Sequence, residues 1–161
     1  MKSGLLSFSV LKSLPRSISD RSGQALAEFA IVLPVLLLIV FGIIEFGLAY
    51  RTFQIVTNSA REGARVAVVP SSDSADARQA VLDRLAGAGL DIGEPGLSIV
   101  LRCNGVDGGI CTNSGDPTEV EVGYPYRFFV LGPIANLVCG GGCGQNYGEV
   151  QLQTTSVMRT E

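Results

Sequence analysis

The chain has 161 residues, a formal net charge of −3 and an apolar fraction of 47%, a length that favours one domain. It has no histidine and no phosphate-binding or nucleophile motif, so neither an enzyme nor a cofactor or metal is expected. The first 23 residues hold four basic residues and one acidic residue, whereas the rest holds eight arginines and fourteen acidic residues. The rest of the chain has no basic cluster, which argues against nucleic acid as a partner.

The first predicted element is an apolar helix. Residues 29–44 carry no charge and are flanked by Glu28 and Glu45. This run covers about 24 Å of helix, and extension to residues 25–50 gives enough length for a hydrocarbon core of about 30 Å. The basic residues precede the span, so the sequence predicts a single-pass anchor with a cytoplasmic amino end and an external carboxyl end.

Two simpler interpretations of this segment stay open at this point. The first is a secretory signal cleaved before Tyr50, because Gly47 and Ala49 are small residues at the positions that cleavage needs. The second is a plain anchor in which Glu28 is an interfacial charge. Neither explains the spacing between Gly23 and Glu28.

The residues around that spacing resemble a known processing site. The run GQALAEF at 23–29, followed by Pro34 and the apolar helix, resembles the prepilin site of the Flp (type IVb) system, in which Gln24 replaces the phenylalanine of general type IV prepilins. The run AREGAR at 60–65 and the tail SVMRTE at 156–161 are similar to the tight-adherence pseudopilins of the TadE-like family.

This resemblance implies a domain organisation and two functional positions. Residues 1–23 would be a cytoplasmic prepilin-type leader, residues 24–69 a long helix that is transmembrane over about 25–50, and residues 70–161 an extracytoplasmic head. A prepilin peptidase would cut between Gly23 and Gln24. Glu28, as residue five of the mature chain and next to Phe29, would then pair with the free amine of a neighbouring subunit.

The function implied is that of a minor pilin-like subunit for assembly of a tight-adherence Flp/type IVb pilus or a related secretion apparatus. Its partners would be the prepilin peptidase, other pilins and pseudopilins, the inner-membrane assembly platform and the lipid bilayer. The place implied is the bacterial cytoplasmic membrane, with incorporation into an extracellular pilus as a further option. The alternative is a membrane-anchored extracytoplasmic binding or sensor module that is never processed.

The helix is expected to continue beyond the membrane, from about Gln24 to about Val69, where Pro70 ends it. Pro34 is a candidate kink. A stripe of apolar or small residues at spacings of three and four predicts packing against the head: Phe53, Val56, Ala60, Gly63, Ala64 and Ala67. Arg61 and Arg65 fall off this stripe, and they are interpreted as a solvated face that could bind acidic groups.

A second helix and three strands complete the predicted head. Asp73 or Ser74 caps the helix, and Gly87 or Gly89 ends it. Its apolar face comprises Ala77, Val81, Leu82 and Leu85. Alternating apolar residues then predict three strands, over 97–103, 120–128 and 150–158, with Pro125 at an edge or bend. The fold class is α+β, with the long helix packed on a small antiparallel, pilin-like sheet.

The four cysteines lie in two pairs, each of which brackets a glycine-containing loop. Outside the bacterial membrane the environment is oxidising, so two disulfides are expected, with Cys103 joined to Cys111 and Cys139 joined to Cys143. A four-thiolate zinc site is the alternative that the spacing leaves open.

Overall fold

The structure is a computed structural model that describes residues 21–138 and 148–160. Its elements in chain order are α1 (Arg21–Ala67), α2 (Ser74–Gly87), β1 (Ser98–Cys103), β2 (Val106–Asp107), β3 (Pro117–Arg127), α3 (Leu131–Val138) and β4 (Glu149–Arg159). The chain separates into two compact units, Met1–Leu37 and Leu38–Glu161. Of the predicted leader, residues 1–20 lie outside the described residues.

Helix α1 contains the predicted membrane segment. Among residues 21–138 and 148–160 it is the one helix long and apolar enough to cross a membrane, and only 6% of its most apolar window is buried. A core helix of a soluble protein would bury such a window, so the exposure favours a single-pass membrane anchor. The helix is continuous through Pro34, whose missing N–H leaves the carbonyl of Ala30 without its usual donor.

The second half of α1 builds the hydrophobic core of the larger unit. Small residues on its buried face bring the helix close to α2 and to the sheet, and at Gly63 the approach leaves no room for a Cβ. The core comprises Val56, Ala60, Ala64 and Ala67 of α1, Ala77, Val81 and Leu85 of α2, and Leu101, Val120, Val122 and Tyr124 of the sheet. Nearly all the predicted stripe therefore faces the core.

Helix α2 begins with a complete capping box. The Asp73 Oδ1 atom accepts hydrogen bonds from the N–H groups of Ala75 and Asp76 at 2.8 and 2.9 Å. In return, Asp76 Oδ2 accepts the N–H of Asp73 at 3.0 Å. The cap is thus Asp73, one of the two residues that the sequence offered, and it satisfies amides that the first helical turn leaves free.

The sheet has the order β2-β1-β3-β4, and every neighbouring pair is antiparallel. Strand β1 pairs with β3 from Ser98 opposite Gly123 to Cys103 opposite Thr118. Pro125 lies beyond the end of β1 and pairs only with β4, so its missing N–H costs no ladder bond on the β1 side. The predicted α+β arrangement, a long apolar helix with an antiparallel sheet, is confirmed.

Two elements differ from the sequence predictions. Strand β2 is only two residues long and carries no alternating pattern. Phe128, predicted as the last residue of the second strand, lies beyond the end of β3 and precedes α3, a helix that was not predicted. Pro133 in the first turn of α3 is compatible with a helix because the amides of that turn have no partner within the helix.

Candidate functional site

The predicted cleavage site lies at the start of α1. The Gly23–Gln24 bond lies within α1, close to the first described residue, Arg21. Gly23 is exposed, and apart from its chain neighbours and nearby helix backbone no atom of the described residues lies within 4 Å of the position that a Cβ would occupy there. Among the described residues, nothing therefore covers the glycine of this bond.

The predicted docking residues follow one turn later. Glu28 is exposed, and its Oε1 atom accepts a hydrogen bond from the side-chain amide of Gln24 at 3.1 Å. Phe29 is exposed beside it. The structure thus brings Gln24 and Glu28 together on one helix face. A carboxylate among apolar side chains can there form an ion pair with a cationic group of another molecule.

Glu45, at the other end of the uncharged run, has the opposite environment. It is 2% exposed, and its two oxygens each accept one backbone hydrogen bond. Oε1 accepts the N–H of Val130 and Oε2 that of Leu131, both at 2.7 Å. The carboxylate therefore caps the amino end of α3, where the aligned peptide dipoles favour a negative charge.

Aromatic residues lie next to this cap in the sequence. Phe46 and Phe128 meet edge to face with ring centroids 6.0 Å apart, and Tyr126 meets Phe128 at 5.4 Å in the same manner. The sequence analysis missed this site, since it assigned Glu45 only to the edge of the span. The available signal was a carboxylate ending an apolar run, but its partners are backbone amides, which any residue type provides.

The structure has a disulfide between Cys103, at the end of β1, and Cys111, whose Cα atoms are 5.0 Å apart. Cys111 is buried, and its N–H donates to Thr118 Oγ1 at 3.1 Å. The Asp116 carboxylate lies within 4.8 Å of both sulfur atoms, but sulfurs bonded to each other are not the thiolates that bind zinc. The second predicted pair, Cys139 and Cys143, lies outside the described residues.

A cluster of charged and polar side chains joins all four described strands of the sheet. Arg102 of β1 forms ion pairs with Asp107 and Glu121, and the side-chain amide of Gln153 also donates to Glu121. The hydrogen bond from Arg102, followed by that from Gln153, holds the pKa of Glu121 below its ordinary value. Because every donor has a cross-strand partner, the cluster is a structural clamp.

The arginines that were predicted to face solvent do so. Arg61 and Arg65 are exposed beside a groove that also contains Asp83 and Arg84. Arg65 Nη2 lies 2.6 Å from Glu62 Oε1, and this hydrogen bond lowers the pKa of the Glu62 carboxyl. The groove has mixed charge, so it offers no strong preference for an acidic ligand.

Comparison with protein-family models identifies one family. The model described as "TadE-like protein" matches residues 23–65, a segment that begins at the predicted cleavage glycine and ends within α1. Comparisons with curated proteins and with solved structures gave no match. Helix α1 from Gly23 to Arg65 is therefore a TadE-like segment, and the family resemblance seen in GQALAEF and AREGAR is confirmed.

Proposed function

We propose that this protein is a minor pilin-like subunit, a pseudopilin, that serves the assembly of a tight-adherence Flp/type IVb pilus or a related secretion apparatus. The observation that carries the proposal is the start of the TadE-like match at Gly23, which places Gln24 and Glu28 in the matched segment. The apolar, exposed first half of α1 supports anchorage in the bacterial cytoplasmic membrane.

The first step is processing by a prepilin peptidase. Hydrolysis of the Gly23–Gln24 peptide bond releases residues 1–23 and leaves an α-amine on Gln24. Such an amine has a pKa of about 7.7–8.0, so it is mostly protonated at neutral pH. The cut therefore creates a positive charge one helical turn, about 6 Å along the axis, from Glu28.

The second step is docking between subunits. Glu28 is exposed on an apolar helix, so when helices associate in the membrane its charge must find a partner or bear a desolvation cost. The new amine of a neighbouring chain is such a partner, and the attraction is strong at low dielectric. Gln24 already holds one carboxylate oxygen, which orients the side chain along the helix face. The pair would set the axial register of adjacent helices.

The test is the amino-terminal peptide of the membrane-extracted protein, measured by mass spectrometry with and without a co-expressed prepilin peptidase. We expect a chain that begins at Gln24 only when the peptidase is present. Gly23→Leu should remain uncut, whereas Gly47→Leu, at a second exposed glycine of α1 with open space around it, should be cut normally.

A chain that keeps Met1 beside an active peptidase would contradict the proposal. It would favour the second class of function, a membrane-tethered binding or sensor module, and would reduce Glu28 to an interfacial charge. Cleavage of Gly23→Leu at the same rate as the parent chain would equally remove Gly23 from the site.

A further inference from the structure

The structure contains an exposed apolar segment that the pilin-like function does not use. We call residues 128–138, which comprise Phe128 to Val130 and helix α3, the apolar arm. The arm carries no charged side chain. Phe129 is 86% exposed and Leu137 is 82% exposed, so both would present their full apolar surface to water. Such exposure is costly at about 25 cal/mol per Å² and indicates a surface that something covers.

The arm lies against the apolar part of α1. The hydrogen bonds from Val130 and Leu131 fix its start at the level of Glu45. Leu131 also lines an open apolar groove together with the α1 residues Leu38, Ile39, Gly42, Ile43 and Phe46. Leu38 lies about 10 Å along the helix axis from Glu45, on the amino-terminal side. The start of the arm therefore lies beside the stretch of α1 that is expected to contact lipid.

Charged residues lie immediately outside this apolar region. Arg127, the residue before the arm, is paired with Glu94 at 3.1 Å and with Glu149 at 3.3 Å. On α1 the first charge after Glu45 is the exposed Arg51. The aromatic rings of Phe46, Tyr126 and Phe128 meet edge to face where apolar and charged residues adjoin in the sequence, and aromatic rings are common at a membrane surface.

We propose that the apolar arm inserts into the lipid bilayer beside α1, in the leaflet that holds the Glu45 end of the span, and that lipid covers Phe129 and Leu137. This inference rests on the membrane anchor in the proposed function, but not on processing or pilus assembly. It makes the anchor a two-part structure, one helix that spans the bilayer and one short segment that enters it from the same side.

The buried carboxylate fits this placement. Backbone N–H groups at membrane depth must have acceptors, because lipid provides none and each unsatisfied group costs several kcal/mol. At the amino end of α3 the amides of Val130 and Leu131 have no acceptor within the helix, and Glu45 supplies one oxygen to each. Glu45 thus permits a chain segment to begin a helix where water is excluded.

The experiment uses tryptophan as a depth probe, since the chain has none of its own. Four single variants of the full chain are reconstituted into phosphatidylcholine vesicles with or without bromine on the acyl chains: Phe129→Trp, Leu137→Trp, Leu36→Trp and Val106→Trp. Leu36 is an exposed residue of the span, and Val106 is an exposed residue of β2. All four positions are exposed, so none of the substitutions disturbs the core.

We expect the emission of Phe129→Trp and Leu137→Trp to shift to shorter wavelength and to be quenched by brominated lipid as strongly as that of Leu36→Trp. Val106→Trp should be unquenched. Both effects should stay the same when the protein is diluted tenfold in lipid. Association between copies of the chain would instead weaken on dilution, because it depends on protein concentration.

Three results would overturn the inference. If both arm probes behave like Val106→Trp while Leu36→Trp is quenched, the anchor stands and the arm lies in water. If they shift only at high protein density, a second copy of the chain covers the arm instead of lipid. If Leu36→Trp is itself unquenched, the membrane anchor fails together with the arm, whereas a failure of processing alone leaves all four results unchanged.

Discussion

The carboxylate of Glu45 accepts the backbone N–H of Leu131 at 2.7 Å, across a sequence separation of 86 residues. The neighbouring N–H of Val130 binds the other oxygen, so one side chain of α1 satisfies two amides at the start of α3. Glu45 and Glu28 flank the same uncharged run, yet the first is buried and structural while the second is exposed. This contrast separates the effects expected of their substitutions.

Replacing Glu45 should loosen the arm. In Glu45→Ala both half-buried amides lose their acceptor, and an unsatisfied N–H that is shielded from water costs about 1–3 kcal/mol. Glu45→Gln keeps one acceptor oxygen and should have an intermediate effect. The measurement is hydrogen–deuterium exchange of residues 128–138 in the detergent-solubilised protein, where we expect faster exchange in both variants. Glu28→Gln is the matched control and should leave exchange unchanged; equal protection in Glu45→Ala would refute the capping role.

Replacing Glu28 should affect assembly and not stability. Glu28→Ala and Glu28→Gln remove the docking charge, and a charged pair worth about 1.5–3 kcal/mol corresponds to roughly ten- to hundredfold weaker association. Processing at Gly23 and membrane insertion should persist. The readout is the amount of assembled pilus, or of chain recovered with the assembly platform, relative to Glu28→Asp, which keeps the charge. Normal assembly of Glu28→Ala would remove Glu28 from the docking role.

Gly63 should tolerate no side chain. A Cβ there would clash with Val81 Cγ2 and would lie 3.3 Å from both the Ala77 carbonyl oxygen and Val120 Cγ1. Overpacking of this kind lowers the free energy of unfolding by about 1–3 kcal/mol, so Gly63→Ala should lower the thermal midpoint and Gly63→Val should lower it further. Gly87 of α2 has open space around it, and Gly87→Ala should be neutral or slightly stabilising. The unfolding midpoints in detergent decide this.

The Arg102–Glu121 pair should make stability depend on acid pH. The pKa of Glu121 is lowered in the folded state, chiefly by the hydrogen bond from Arg102, so the unfolded chain binds its proton more readily. The stabilisation is complete above the ordinary glutamate pKa of about 4.3, and it is lost as the pH falls through the lower folded-state value. Glu121→Gln should flatten this part of the curve of unfolding free energy against pH. In an Arg102→Gln background the same change should have little further effect.

The parts of the fold with a local pattern could be predicted from the sequence. Three features can be recognised from residues that are close together in the sequence: the apolar run of α1, the stripe that includes Ala60 and Ala64, and the capping residues before α2. The alternation in β3 and β4 does the same for the sheet. These features need no knowledge of distant residues, and the structure bears them out.

The site at Glu45 could not be predicted in this way. Its acceptor role depends on backbone amides 85 and 86 residues away. Because nearly every residue has a backbone amide, the sequence does not indicate which amides would bind Glu45. Helix α3 was missed because the alternating pattern was followed through Phe128 and no element was predicted for residues 129–138. A charge-free run after Arg127 was visible in the sequence, but its position beside Gly42 and Phe46 of α1 is visible only in the structure.

The two edges of the sheet are unequal, and this limits how copies of the protein can associate through it. Strand β2 has two residues, whereas β4 has eleven, and no described strand pairs with the outer side of β4. Strand β2 covers only Arg102 and Cys103 of β1, so among the described strands β4 offers the longest continuous edge for an added extended backbone. Two copies that joined there would form a closed pair about a twofold axis, with no second long edge for a third. Pairing through β4 would therefore occupy the longest described sheet edge of both copies at once.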